Sequence, residues 1–301
     1  MSEASKSKLP LVIQSLVGQI ALPFYLRCLQ SLLKHCEENI RLLIHEDGSL
    51  GENGRERARS ELGENSQFVD YGITKERTLD HLSGYPHCQA IRKSSLWGIE
   101  FFDPLFAQPD ATISYYIDAD ILFLRPFSGL FVPEQIEGGA LFLRDTQWDA
   151  YSLRPWHLFG FGMRPVIVKG ITTALVCWDK REIDWHYLEW FLGKNKFHCI
   201  PEWVMPTVQA GLASKCRAKV VSPSQITNLY PNASDDKPYH TMQLFVDEAG
   251  LEVVKIVVKG REGMDTEYLI ERFNVGVEIP SSNFSFDTNE YPGASIIDNR
   301  I

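Results

Sequence analysis

The chain of 301 residues, 44% hydrophobic and 12% aromatic, is long enough to bury one large core or two modest ones. Its formal net charge of -9 excludes a general nucleic-acid binder, whose footprint would be basic, and leaves room only for a local basic site facing a small anion. Six cysteines without a C-x-x-C pair, mostly in apolar runs, exclude a disulfide scaffold or zinc site and predict reduced core thiols.

The polar start MSEASKSKLP leads straight into an apolar run, with neither a signal peptide nor a span of about 20 apolar residues, so a soluble, cytoplasmic protein without a transmembrane segment is expected. Residues 11–18 read as a buried strand. Pro23 then opens a helix with Leu26, Leu29, Leu32 and Leu33 at helical spacing. A second strand covers 40–49 and ends in a turn, and a third lies within 66–73. The helical stretch 89–106, stopped near Pro104 and Pro109, feeds a strand at 112–118. Beyond it, 138–145 and 171–179 read as strands, 203–215 as a helix and 218–223 as another strand. Such alternation predicts an α/β chain with a mostly parallel sheet covered by helices on both faces. Residues 1–240 form the expected core, and 241–301 an irregular appendage packed on it, with one apolar run at 251–260.

In a parallel sheet, ligands sit beyond the carboxyl ends of the strands. Three predicted strands end there in acids: Asp47, then Asp118 with Asp120, then Asp145. The segment SYYIDADILFLRP places two of them inside a run that otherwise reads as buried. Continued extended geometry would turn Asp118 and Asp120 to one side, where both could face one cation. Without a cation or strong donors, burying the two costs several kcal/mol per ion. A hard divalent metal, itself carried on a diphosphate, would compensate. The bland alternative is a chance D-x-D with Arg125 as its salt-bridge partner.

The segments YYIDADILFLRPFSGLF and IRKSSLWGIEFF resemble the GT-A glycosyltransferases, particularly the family 8 and glycogenin-like group. There a buried strand runs into D-x-D, and a basic residue sits on the preceding helix, here Lys93 with Arg92 beside it. The resemblance implies a Rossmann-like mixed sheet and an enzyme moving a sugar from a nucleotide-sugar, a UDP-sugar first among candidates, with manganese or magnesium on Asp118 and Asp120. Asp118 would also reach the ribose, Asp47 would line the nucleoside pocket, and Arg92 and Lys93 would meet the diphosphate. His240 stands as the third metal ligand and Lys237 as a further diphosphate contact, although the family pattern H-x-x-G-x-x-K-P-W is absent, since Lys-Pro here precedes the histidine. Glu202 is the candidate acceptor base, with Asp145 and then Asp179 behind it.

The family's Asn-Ser-Gly segment is replaced by GITTALVCWD, which leaves inversion or retention open. Trp148, Tyr151 and Trp156 would stack on an acceptor or fill the core. The acceptor itself is a glycan, lipid, peptide or small molecule. Two rival classes remain: a non-catalytic sugar-nucleotide or carbohydrate binder on the same scaffold, and a D-x-D phosphatase, disfavoured because Ile121 and Leu122 follow an interior motif.

Overall fold

A computed structural model describes residues 10–123, 126–145, 151–153, 166–194 and 201–221, and short strands at 243–244, 256–259 and 265–268; at 201–202 and in those last strands the backbone alone is described. The chain runs β1 (Leu11–Val17), α1 (Leu22–His35), β2 (Ile40–Glu46), α2 (Glu52–Leu62), β3 (Ser66–Phe68), α3 (Tyr71–His81), α4 (Pro86–Ser94) and α5 (Leu96–Ala107). It continues through β4 (Ile113–Ile117), β5 (Ile121–Leu122), α6 (Pro133–Ile136), β6 (Gly139–Arg144), β7 (Ile171–Asp179), α7 (Trp185–Leu192), α8 (Pro201–Ala213) and β8 (Arg217–Val220). The remaining strands are β9 (Gln243–Leu244), β10 (Ile256–Lys259) and β11 (Asp265–Tyr268).

Seven strands make one sheet in the order β3-β2-β1-β4-β7-β6-β8. Pairing is parallel between β2 and β3, β1 and β2, β1 and β4, and β6 and β8. β7 alone runs against its neighbours, antiparallel to both β4 and β6. The sheet is therefore mixed. The sequence could not show the reversal, because a strand buried on both faces is a continuous apolar run in either direction. A second pairing is short: β5 lies parallel to β9, and β10 and β11 form an antiparallel pair.

Side-chain alternation divides the interior into two cores. Ile13, Leu42, Ile44, Tyr115, Ile117, Leu141 and Leu143 face one side, where they meet Leu22, Leu26, Leu29 and Leu32 of α1 and Ala58 and Leu62 of α2. Tyr116, Ala140, Phe142, Val176 and Trp178 face the other, packed on Phe101, Phe102 and Leu105 of α5, on α7, and on Val204, Met205 and Val208 of α8. Helices thus cover both faces. None among the described residues is long and apolar enough to cross a membrane.

The sequence reading passes over three helices, α2 and α3, whose apolar periodicity is weak, and the short α7. α2 buries only Gly54, Ala58 and Leu62, one narrow stripe; Arg55 ties it to buried Glu46 of β2 at 2.7 Å, and Arg57 and Glu61 pair within the helix at 2.6 Å. α3 and α7 begin at Asp70 and Asp184, whose side chains accept from the backbone N–H groups of Ile73 and Tyr187. The stretch expected as one helix is two, α4 and α5, parted by an extended Ser95. Five cysteines, Cys28, Cys36, Cys88, Cys177 and Cys216, are free thiols, as expected; Cys199 lies outside the described residues.

Between this second core and the first strands lies a buried polar patch around Gln14, His45 and Ser114. Gln14 donates to Pro104 O and Ser114 Oγ, and its Oε1 lies 2.9 Å from His45 Nε2. Arg92 reaches the Asp103 carboxylate through Nε and a terminal nitrogen at 2.5 and 2.7 Å, both residues about 1% exposed. Burial outweighs the arginine's attraction and leaves Asp103 above the ordinary carboxylate range. The pair therefore adds little net stability, but breaking it strands a charge. Arg92→Met should cost about 3–5 kcal/mol in denaturant unfolding. The double variant Arg92→Met/Asp103→Leu should recover most of that loss, since no charge then stays buried alone.

Candidate functional site

From β1 the chain steps outward through α1, β2 and α2 to β3, on one face of the sheet. It then returns through α3, α4 and α5 on the other face and enters β4 on the far side of β1. Strand order reverses between β1 and β4, so the helices part there and leave a crevice over the carboxyl ends of the strands. That edge carries Gly18 after β1, Asp47 after β2, Asp118 to Asp120 after β4 and Asp145 after β6, as the sequence pattern predicts.

Asp47 is fixed on both sides. Its N–H donates to Val17 O at 3.2 Å, and its Oδ1 accepts from Ser49 N at 2.8 Å and from the Ser49 hydroxyl at 2.5 Å. Gly18 lies so close to this carboxylate that a Cβ there would collide with Oδ2. Gly48 completes the turn at φ 87°, so Asp47 sits in an ordinary Asp-Gly turn.

The D-x-D departs from the expected geometry. Asp118 N still donates to Ala174 O at 2.7 Å, but the extended backbone ends there, and Ala119 and Asp120 form a turn before β5. Buried Ala119 and Ile121 anchor that turn in the α1-side core, so packing and not strand alternation brings the acids together. The carboxylate of Asp120 acts on both walls of the crevice. With burial as the larger cause, its charge helps lift the Tyr25 phenol on α1 to about 12 and the Glu100 carboxyl on α5 to about 8. The Thr173 hydroxyl opposes the shift at Glu100. Asp118 is pushed well above the usual range by burial, then by Glu100 and Asp120, against a hydrogen bond from the Tyr116 hydroxyl. Burial holds Asp120 itself at about 6.

Glu100 thus makes a third acid in the crevice, one that sequence reasoning missed. Its signal is visible in hindsight: LWGIEFFDPLFA is an apolar helix with two acids, and Arg92 accounts for Asp103 alone. Among the described residues no lysine or arginine forms an ion pair with Glu100, Asp118 or Asp120. Asp120 Oδ1 is buried with no hydrogen-bond partner. An unpartnered carboxylate oxygen among other acids suits a hard cation. No set of three His, Cys, Asp or Glu side chains among the described residues has the spacing of a closed metal site. A cation held there by Asp118 and Asp120 would draw its other ligands from water or a bound phosphate, as magnesium-type sites do.

The other candidate residues are distributed as follows. Lys93 is exposed at the last turn of α4, whereas the neighbouring Arg92 is committed to Asp103 inside the fold. Asp145 follows β6, its N–H on Gly170 O at 3.0 Å. Asp179 lies at the opposite edge of the sheet, paired with Arg181 at 2.7 Å and held at about 2, mainly by that arginine. Tyr151 is core, 1% exposed, with its hydroxyl between Val168 O and Ile171 O. The Glu202 side chain, Lys237, His240, Trp148, Trp156 and Arg125 lie outside the described residues.

These acids make stability depend on pH. Glu100 goes from an ordinary 4.5 to about 8, and Asp120 from 3.8 to about 6, so the folded chain holds protons that the unfolded chain releases. Their contribution is complete below the ordinary values and is lost as pH rises through the folded ones. Buried His45, lowered to about 3 by burial and Arg92, acts oppositely, its contribution falling away below pH 6.5. Between pH 6.5 and 8 the change comes mainly from Glu100. In EDTA the melting temperature should therefore fall across this interval, by about 2–4 °C for each 1 kcal/mol lost. Manganese added at pH 8 should restore it, and circular dichroism melts check both.

No family model matches this sequence, and no curated protein matches it. Among solved structures the chain is similar to an active-site mutant of LgtC, with 12% identity and a TM-score of 0.46 over 71% of this chain and 74% of that one. It is also similar to the mannosyltransferase Ktr4p from S. cerevisiae, with 12% identity and a TM-score of 0.43 over 67% of this chain and 65% of that one. A third likeness is to the galactosyltransferase LgtC in complex with donor and acceptor sugar analogues, at 13% identity and a TM-score of 0.39 over 71% and 74%. At these values the likeness carries no weight for activity. The weight rests on this chain's own strand order and acids.

Proposed function

We propose that this protein is a GT-A glycosyltransferase that uses a divalent metal to transfer a sugar from a nucleotide-sugar, with UDP-sugars first among the donors, to a hydroxyl-bearing glycan, lipid, peptide or small molecule. The observation that carries the reading is the unpartnered Asp120 Oδ1, set with Asp118 and Glu100 at the point where strand order reverses. Strand spacing gives the crevice its scale. Asp47 and Asp145 each end a strand two places from β4, so they flank the D-x-D at about 10 Å on either side. A donor laid along that edge would rest its nucleoside near Asp47, its diphosphate at Asp118 and Asp120, and its sugar toward the ends of β6 and β7.

Asp118 and Asp120 would hold manganese or magnesium, which when bound neutralises the charge developing on a departing nucleoside diphosphate. Lys93, left exposed, is the proposed basic contact to that diphosphate. His240 is kept as the proposed third ligand: it precedes Gln243 by three residues, and Gln243 pairs with Ile121, the residue after Asp120. Lys237 is proposed to assist at the diphosphate. Asp47 would accept from the ribose hydroxyls, its Oδ1 already ordered by Ser49.

A thermal-shift screen of UDP, GDP, CDP and dTDP sugars, with and without manganese, tests the reading. One donor should raise the melting temperature by mass action, and only with metal. Asp120→Asn should remove that metal-dependent shift while leaving the metal-free melt unchanged or higher, since it relieves uncompensated charge. A metal-dependent donor shift that survives in Asp120→Asn would overturn the assignment.

Glu202, in the first turn of α8, is proposed as the acceptor base for an inverting reaction. A base acts in the chemical step. Glu202→Gln should therefore lower kcat by about 100-fold or more with donor affinity nearly unchanged, and NMR of the product should show inversion. A retained anomeric configuration, or turnover like wild type, would return Glu202 to a simple helix-start carboxylate and leave Asp145 as the next candidate.

A further inference from the structure

Helix α1 buries Leu22, Leu26, Leu29 and Leu32, and among them one hydroxyl, that of Ser31. Ser31 is 9% exposed and bonded on both sides. Its hydroxyl donates to Cys28 O at 2.6 Å, inside its own helix, and accepts the backbone N–H of buried Phe123 at 2.8 Å. Phe123 stands three residues beyond Asp120. A helix side chain 92 residues away in sequence therefore holds the chain directly after the D-x-D.

The D-x-D turn hangs between two anchors. Asp118 N is held by Ala174 O of β7 at 2.7 Å, and Phe123 N by Ser31 of α1. Between them lie buried Ala119 and Ile121 and the two-residue strand β5, paired with an equally short β9. So short a pairing fixes little by itself. Further along, Phe127 N donates to His35 O at 2.9 Å and Phe127 O accepts from Glu37 N at 3.0 Å, so the end of α1 takes hold again. The start of α1 adjoins the Asp47 turn: Gln19, three residues before the helix, donates its N–H to Ser49 Oγ at 2.9 Å. One helix thus joins the two ends of the proposed donor site.

Resting on the proposal that Asp118 and Asp120 meet a metal-bound nucleoside diphosphate, we infer that Ser31 is a positioning residue for that site: by taking the Phe123 N–H it fixes the D-x-D turn against α1 and sets the place of Asp120. It touches neither metal nor donor. Ile121 and Phe123 fill the core beside α1, but hydrophobic contact is non-directional and lets a short segment slide along a helix. A hydrogen bond of 2.8 Å has one direction and one register. Binding constellations must be held to within about 0.5 Å, and a buried hydroxyl on a rigid helix supplies that precision.

The test uses the full chain at a temperature where circular dichroism shows the variants folded, and measures binding of UDP, and of GDP, by calorimetry with and without manganese. Wild type, Ser31→Ala, Ser31→Cys, Asp120→Asn and Ile183→Val are compared. Ile183, buried in the opposite core, serves as the stability control, since losing one methylene lowers the melting temperature without touching α1 or β5. Ser31→Ala should weaken manganese-dependent nucleotide binding about tenfold, the size of one hydrogen bond's contribution. Ser31→Cys, which offers sulfur as a poorer acceptor in the same place, should weaken it in the same direction, and it decides the matter if Ser31→Ala fails to fold. Ile183→Val should bind as wild type does. Wild-type affinity in the serine variants, while Asp120→Asn loses binding, overturns this inference and leaves the D-x-D reading standing. An equal loss in Ile183→Val also overturns it, because the effect is then one of stability alone. No manganese-dependent binding of either nucleotide by wild type removes the D-x-D reading, and this inference with it.

Discussion

The placement of β4 sets everything at the site. It pairs in parallel with β1 on one side and antiparallel with β7 on the other, so its carboxyl end meets the carboxyl end of β1 and the start of β7. Helices that serve β1 and β4 lie on opposite faces, and the edge between them cannot be roofed by either. Three acids lie about that gap from two elements: Asp118 and Asp120 in the turn after β4, and Glu100 on α5. Had β4 paired at the sheet edge beyond β3, the same residues would lie apart and in water.

Electrostatics then gives the gap its chemical character. Carboxylates usually enter protein interiors with a partner, and this chain supplies partners readily elsewhere: Arg92 for Asp103, Arg55 for Glu46, Arg181 for Asp179. The crevice is the exception among the described residues. The free energy withheld there is available to a ligand that brings positive charge, which is the linkage by which a site is kept destabilised until it is filled. In the proposed reading, a metal carried on a diphosphate would meet that need and complete its shell with the donor's own oxygens.

Much of this was legible in the residues. The apolar runs at β1, β2, β4, β6 and β7 stand out because parallel-type strands are buried on both faces, and acids that interrupt their ends stand out against them. Asp47, Asp118, Asp120 and Asp145 therefore mark one edge of the sheet, the carboxyl ends of β2, β4 and β6, before any coordinates are known. Glu100 does not, because an acid in a helix is ordinarily a solvated one, and only the packing of α5 on β1 and β4 turns this one inward. Arg92 illustrates the converse. Its neighbour Lys93 is exposed, yet Arg92 points into the core, and a one-residue difference on a helix, a rotation of about 100°, separates a surface cation from a buried one. The direction of β7 is also invisible in sequence, since its apolar run reads the same whichever way the strand enters. α2 and α3 escape notice because their contact stripes are too narrow to leave a strong helical period.

Anomalous diffraction from crystals grown with manganese and UDP addresses the central claim most directly, because it locates the ion without relying on turnover, donor sugar or acceptor. The account predicts one strong anomalous peak over the carboxyl end of β4, at ligand distance from Asp118 and Asp120 and bridged to the diphosphate. A nucleotide bound with no peak there, or an arginine or lysine side chain lying in the crevice against Asp120 in its place, would contradict it.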